Sequence, residues 1–163
     1  MLLIILAWIL WFGICFNIGF FLLRIFYKEK HRKIDFFYNF WFGIFILIPV
    51  LEAVSLFYPL NNNTFLATVF VSVVLAFLNI KLAKPSFRGL IKSVISKFDY
   101  KKIILFATII LITAFLSNQI VGWFDTYLYH FNAVKWLTDF GTVRGLANLH
   151  DRLGVNNITF VLG

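Results

Sequence analysis

Four long apolar stretches alternate with polar segments along the chain. Residues 1–23 contain no charged side chain, and further apolar stretches cover about 36–58, 64–81 and 103–122. A helix that crosses a bilayer needs about 20 predominantly apolar residues, and each stretch is close to that length. A last apolar run starts at about residue 156 and continues to Gly163. The pattern predicts four transmembrane helices, at about 1–24, 36–58, 64–81 and 103–122, and the start of a fifth.

The predicted fold class is all-α: a polytopic helical membrane protein with a single transmembrane region over residues 1–163. Hydrophobic residues make up 61% of the chain and charged residues only 13%. Soluble domains carry about 25% charged residues, so the composition excludes a soluble cytosolic enzyme. A single cysteine, Cys15, excludes a disulfide scaffold. Because the last apolar run is short, we expect the chain to be the N-terminal part of a larger protein.

The basic residues are concentrated in two segments. Twelve of the fifteen lie within 24–33 and 81–102, between the predicted spans. Short loops rich in Lys and Arg stay in the cytoplasm, so the loops 25–35 and 81–102 are predicted to be cytoplasmic. The N-terminus, the turn at 61–64 and the loop 122–156 then lie outside. The net charge of +8 reports this orientation, and no nucleic-acid partner is predicted. High Phe, Ile, Lys and Asn usage is typical of an AT-rich coding sequence, which points to a bacterial inner membrane.

The second cytoplasmic loop has a helical pattern of its own. Its apolar residues recur at helical spacing, and its basic residues lie off that stripe. Pro85 and Ser86 come just before it. We expect an interfacial cytoplasmic helix that anchors the chain to membrane lipid, or alternatively one that binds a lipid phosphate. The apolar stripe comprises Phe87, Leu90, Ile91, Val94, Ile95 and Phe98, and the basic residues are Arg88, Lys92 and Lys97.

Few residues within the spans carry polar chemistry. Glu52 is an ionisable group near the outer end of the second span, and such groups are candidates for function. The alternative is that Glu52 lies at the outer interface, or pairs with Asn118 or Gln119 on the fourth span. Gly13 and Gly19 are spaced too irregularly for a helix-dimer motif, and we interpret both as positions of close helix packing.

The external loop begins with an amphipathic segment. Asp125 is suited to the N-cap and Gly141 to the C-terminal stop of a helix of about 15 residues. The side of this helix that we expect to face the membrane carries Tyr127, Phe131, Val134 and Leu137. The segment is therefore predicted to be an external juxtamembrane helix along the membrane surface.

This loop holds the candidate chemistry. A carboxylate just beyond a span lies at the level of lipid phosphates, where Asp125 could act as a general base on an acceptor hydroxyl. The departing phosphate needs cations or hydrogen-bond donors. The alternative is that Asp125 only caps the helix and the histidines only lie at the interface. The candidate phosphate-binding residues are His130, Arg144, His150 and Arg152.

The run from Trp123 to His130 resembles the marker of the GT-C superfamily of integral-membrane glycosyltransferases, an acidic residue in an external loop followed by aromatic residues. This run and the later one from Gly145 to Gly154 also resemble bacterial polytopic proteins associated with envelope polysaccharides. The resemblance implies transfer of a sugar from a polyprenyl-phosphate-linked donor to a glycan acceptor on the outer face, with Asp125 as the catalytic base.

The chain departs from the GT-C pattern in three ways. The acidic loop follows the fourth span instead of the first, and the family fold has more spans than this chain. Thr126 stands where many members have a second acidic residue. Without a carboxylate pair, no metal site and no cofactor is predicted, and a divalent metal stays an open alternative.

Two other functions compete with this hypothesis. A polysaccharide polymerase or flippase-type protein would use Arg144 and Arg152 as its main phosphate contacts. A non-catalytic membrane subunit would use the aromatic external helix to dock a partner. In each case other membrane helices, from the rest of the same protein or from a partner subunit, are expected partners.

Overall fold

The computed structural model describes residues 1–27, 36–97, 99–119 and 130–148. Every regular element within these ranges is helical. The α-helices are α1 (Leu2–Tyr27), α2 (Phe36–Ser55), α3 (Asn62–Lys97), α4 (Tyr100–Ser117) and α5 (Phe131–Asp139), and a short 3₁₀ helix covers Leu146–Asn148. The predicted all-α fold class is confirmed.

Four of these helices are long and apolar enough to cross a membrane. Their spanning segments are Leu2–Phe26, Phe37–Ser55, Asn62–Lys81 and Tyr100–Ser117. Each falls on one of the apolar stretches of the sequence, so the predicted polytopic architecture is confirmed for these four helices. The predicted start of a fifth span lies outside the described residues.

The third span differs from the prediction at its C-terminal end. A separate interfacial helix was expected after Pro85, but α3 continues without a break from Asn62 to Lys97, over 36 residues. An interior proline removes one backbone hydrogen bond and its ring crowds the carbonyl four residues earlier, which weakens or kinks a helix without necessarily ending it. At 1.5 Å per residue α3 is about 54 Å long, against about 30 Å for the hydrocarbon layer. The basic segment is therefore an extension of the third span.

Contacts divide the chain into two compact units. Unit 1 comprises Met1–Ile44 and Val71–Ile120, and unit 2 comprises Phe45–Phe70 and Val121–Gly163.

In unit 1, α1 and α2 pack closely through two glycines. A Cβ atom on Gly19 would fall on the backbone carbonyl of Asn39, and one on Gly43 would fall on the backbone carbonyl of Cys15. Residue numbers rise along α1 as they fall along α2, so the two helices are antiparallel. Small residues allow this approach of backbones in membrane proteins. The packing interpretation is confirmed for Gly19 and wrong for Gly13, which has open space around its Cβ position.

The contact between α1 and α3 is polar. The Asn17 side-chain amide donates to Ser72 Oγ (3.3 Å), and the Asn79 side-chain amide donates to the Asn17 backbone carbonyl (3.2 Å). In a helix side chains lean toward the N-terminus, whereas carbonyls point toward the C-terminus. Asn17 therefore reaches Ser72 with its side chain and the later Asn79 with its carbonyl, which requires α1 and α3 to be parallel. This agrees with spans that alternate in direction.

Candidate functional site

Three of the six predicted site residues lie in the described ranges. Glu52 belongs to the last turn of α2, His130 directly precedes α5, and Arg144 follows α5. The candidate base Asp125 and the candidate phosphate ligands His150 and Arg152 lie outside the described residues, so their roles stay predictions.

The C-terminal end of α5 has the predicted glycine stop. The Gly141 N–H donates to the Leu137 carbonyl (3.2 Å), and the Phe140 N–H donates to the Trp136 carbonyl (2.9 Å). Gly141 has φ +75°, a left-handed conformation that glycine adopts without steric cost. The predicted C-terminal stop of this helix at Gly141 is confirmed.

One side of α5 packs against the protein. Leu137 is buried, and Ala133 is buried one turn before it. Phe131 is 63% exposed, and the prediction that its side of the helix faces the membrane stays a prediction. Residues four apart are one above the other on a helix, so Ala133 and Leu137 form the buried stripe and Phe131 lies to one side of it. The predicted N-cap at Asp125 lies outside the described part of the chain.

The segment after α5 packs on the end of α2. The Thr142 N–H donates to the Ser55 backbone carbonyl (2.7 Å), and the hydroxyls of Ser55 and Thr142 share a hydrogen bond (2.8 Å). The Ser55 hydroxyl lies 2.7 Å from the Glu52 backbone carbonyl, and Ser55 is only 1% exposed. Carbonyls in the last turn of a helix have no partner within that helix. Thr142, from a distant part of the sequence, therefore caps α2.

A second set of contacts fixes the same segment. The Leu60 N–H, in the turn between α2 and α3, donates to the Leu137 carbonyl (2.9 Å). A Cβ atom on Gly141 would lie 2.6 Å from the Ser55 carbonyl oxygen and 2.9 Å from that of Tyr58. The end of α5 thus contacts both the end of α2 and the α2–α3 turn. This agrees with the prediction that the external loop and the turn at 61–64 share one side of the membrane.

Glu52 lies in α2 about one turn before Ser55, the residue that Thr142 contacts. It is partly buried, and its spanning segment ends three residues later at Ser55. A position one turn from the end of a span agrees with the alternative that Glu52 is near the membrane boundary. Asn118 and Gln119 belong to unit 1, so their predicted pairing with Glu52 stays a prediction.

Arg144 lies on the surface, two residues after Thr142. Its side chain is exposed, and the following Gly145 has φ +90°. The Asn148 N–H donates to the Gly145 carbonyl (2.9 Å) and closes this turn. The described residues therefore hold an exposed guanidinium close to the capped end of α2, whereas His130 is half-buried at the other end of α5.

Ser55 and Thr142 are the contributors to this site that the sequence did not reveal. They are 87 residues apart, and neither belongs to a recognisable motif. The only local signal was Gly141, which marks a chain reversal but does not identify the surface it packs on. Among the described residues, no group of three or more His, Cys, Asp or Glu side chains is close enough to hold a metal ion.

The model of one protein family matches the chain. It is described as Domain of unknown function (DUF8201), and the match covers residues 1–163. The chain belongs to this family. No curated protein and no solved structure matches the chain.

Proposed function

We propose that this member of the DUF8201 family is a membrane glycosyltransferase. It moves a sugar from a polyprenyl-phosphate-linked donor to an envelope glycan acceptor at the outer face of a bacterial inner membrane, with Asp125 as general base. The observation that carries the proposal is the packing of residues 141–142 on the end of α2, with Arg144 exposed beside it. This contact supports an external segment held at the membrane boundary, where a lipid phosphate lies.

The chemistry requires two groups of opposite character. Asp125 takes the proton from an acceptor hydroxyl, and the hydroxyl oxygen forms a bond to the anomeric carbon of the sugar. The bond from that carbon to the phosphate oxygen breaks, and the polyprenyl phosphate leaves with the electron pair. Arg144 and Arg152 neutralise the charge that develops on the phosphate, assisted by His130 and His150.

The orientation can be tested with single cysteines. Asn62, Asp139 and Lys101 are all exposed, and the native Cys15 is buried. In intact cells, an impermeant maleimide is expected to label Asn62→Cys and Asp139→Cys and to leave Lys101→Cys unlabelled until the membrane is opened. Labelling of Lys101→Cys alone would reverse the proposed orientation. Labelling of Asn62→Cys without labelling of Asp139→Cys would contradict the proposal that both residues lie on the same side of the membrane.

The activity is tested in membranes that contain the full-length protein, supplied with a panel of radiolabelled polyprenyl-phosphate hexoses. Loss of a general base lowers rates by about 100-fold or more, so Asp125→Asn is expected to reduce sugar transfer by at least that factor. Arg144→Ala is expected to reduce transfer less, because Arg152 also contacts the phosphate. Lys135→Ala removes an exposed positive charge from α5, outside the proposed site, and is expected to leave transfer unchanged.

The same variants separate the proposal from the other functions. Full transfer in Asp125→Asn would remove the general-base role. Loss of transfer in Arg144→Ala with full transfer in Asp125→Asn would favour a polymerase or flippase-type protein that contacts phosphate through arginines.

A non-catalytic subunit is favoured by one observation in α4. Among the residues of Tyr100–Ser117, only Ala114 is buried, so nearly the whole helix offers an apolar surface to lipid or to other helices. Transfer that is absent with every donor, together with co-purification of a second membrane protein, would support this subunit role over the enzyme.

A further inference from the structure

Polar side chains line the contact between α1 and α3. Asn79 is 1% exposed and Ser72 is 5% exposed, although both belong to a span. Asn17 of α1 lies between them and makes one hydrogen bond to each. Because Ser72 and Asn79 are buried from bulk water, their polar atoms need hydrogen-bond partners inside the protein.

One atom of this contact has none. The Asn79 side-chain oxygen is buried and has no hydrogen-bond partner among the described residues. Rotating the amide by 180° would not help, because the side-chain nitrogen already donates to the Asn17 carbonyl (3.2 Å). In the rotated amide the Asn79 side-chain oxygen would face the Asn17 carbonyl oxygen, and both are acceptors. The hydrogen bond to Asn17 therefore fixes the orientation of the Asn79 amide.

We propose that unit 1 binds a water molecule that donates a hydrogen bond to the Asn79 side-chain oxygen. Buried waters in proteins typically bind polar groups that would otherwise have no partner, and they need two to four polar neighbours. The Asn17 backbone carbonyl, 3.2 Å from the Asn79 side-chain nitrogen, offers the water a second acceptor. The ligand is water and not a lipid headgroup, because the Asn79 oxygen is enclosed and a headgroup could reach it only if the helices separated.

Arg24 is the competing donor. It follows Asn17 by seven residues, two turns along α1 toward the level of Asn79, and one of its guanidinium nitrogens is buried. A guanidinium that moved onto the Asn79 oxygen would replace the water. The experiment therefore has to distinguish a water molecule bound to the Asn79 oxygen from a direct contact with the Arg24 guanidinium.

The test uses the full chain in lipid bilayers, with asparagine labelled by ¹⁵N, and measures transfer of magnetisation from water to side-chain amides by solid-state NMR. The Asn79 side-chain amide is expected to receive at least about twice the signal of a dry reference, the backbone amide of the 2% exposed Ile14, labelled with ¹⁵N in the same sample. Transfer to Asn79 no greater than to Ile14 would overturn the proposal.

Two variants complete the design. Asn79→Leu assigns the signal and is expected to remove it, and a strong signal that persists in this variant would contradict the assignment to Asn79. Arg24→Met is expected to leave water transfer to Asn79 unchanged. A large shift of the Asn79 amide in Arg24→Met, without water transfer in the wild type, would identify Arg24 as the donor and overturn the proposal. If Asn79→Leu does not fold, the smaller and polar Asn79→Ser assigns the signal in its place.

Discussion

Gly43→Ala is expected to destabilise the protein by about 3 kcal/mol or more, the upper part of the range for overpacked cores. The added methyl would fall on the Cys15 carbonyl of α1, and backbone atoms cannot move aside as the tip of a flexible side chain can. Gly19→Ala is expected to have a similar effect, since its methyl would fall on the Asn39 carbonyl. In each variant α1 and α2 must separate and lose close packing. Denaturant unfolding in detergent, followed by tryptophan fluorescence, measures the loss.

Gly13→Ala is the matched control. Gly13 lies in the same helix as Gly19, but its Cβ position has no atom within 4 Å. Alanine favours the helix interior over glycine by about 0.5–1 kcal/mol, so this variant is expected to be as stable as the wild type or slightly more stable. Equal losses at Gly13 and Gly43 would show that backbone freedom, and not the close approach of α1 and α2, sets the effect.

The membrane-spanning helices were predictable because each coincides with a long, predominantly apolar stretch. The end of α2 was less predictable. The apolar stretch continues to residue 58, but the helix ends at Ser55, where the Val54 carbonyl accepts from both Phe57 and Tyr58. Hydropathy reports which residues suit lipid, whereas a helix end depends on hydrogen bonds and on the restriction that Pro59 imposes on the preceding residue.

The different roles of Gly13 and Gly19 were not predictable from one helix. Both are glycines in an apolar span, and their periodicity does not show which partner helix each will meet. The difference depends on the antiparallel register of α1 and α2, which places Gly19 beside Asn39. Such a register depends on residues that are distant in sequence. The sequence around Gly43 alone does not show that this glycine packs against α1.

The candidate site also has a part that the sequence predicts and a part that it does not. Gly141 was predictable because a helix stop is a local event, set by one residue in a left-handed conformation. The contact between Ser55 and Thr142 was not, because it joins positions 87 residues apart through hydroxyls and a backbone amide. Asp125 stays a prediction that rests on the sequence pattern and the resemblance.

The capped end of α2 links the stability of a membrane span to the position of the segment that follows α5. Thr142 supplies a backbone donor that Ser55 needs, and Arg144 follows after two residues. A change that displaces Thr142 therefore leaves a buried carbonyl at the end of α2 without its partner, and it also moves the exposed guanidinium. Phe140 and Gly141 connect α5 to Thr142. Gly141 has both a positive φ and the close approach to the Ser55 carbonyl, which makes it the most sensitive position of the segment.

Gly141→Ala is expected to destabilise unit 2 by about 3 kcal/mol. A side chain in the left-handed region costs about 1–2 kcal/mol, and Gly141 has φ +75°. The added methyl would also lie 2.6 Å from the Ser55 carbonyl oxygen and 2.9 Å from that of Tyr58, an overlap that adds about 1–3 kcal/mol. Relief of the overlap breaks the hydrogen bond from Thr142. Hydrogen exchange at the Thr142 amide is therefore expected to accelerate by about 100-fold, because each loss of about 1.4 kcal/mol increases the open population about tenfold.

Gly145→Ala separates the cost of the positive φ from the cost of the steric overlap. Gly145 also has a positive φ, +90°, but a Cβ atom there would meet only the Asn148 side-chain nitrogen, at an ordinary 3.7 Å. The variant therefore carries the conformational cost of about 1–2 kcal/mol without the overlap. Its Thr142 amide is expected to exchange at nearly the wild-type rate, because the strain lies beyond the contact with Ser55. Equal acceleration in both variants would mean that φ alone matters and that the packing of Gly141 on α2 does not hold the segment that follows α5 in place.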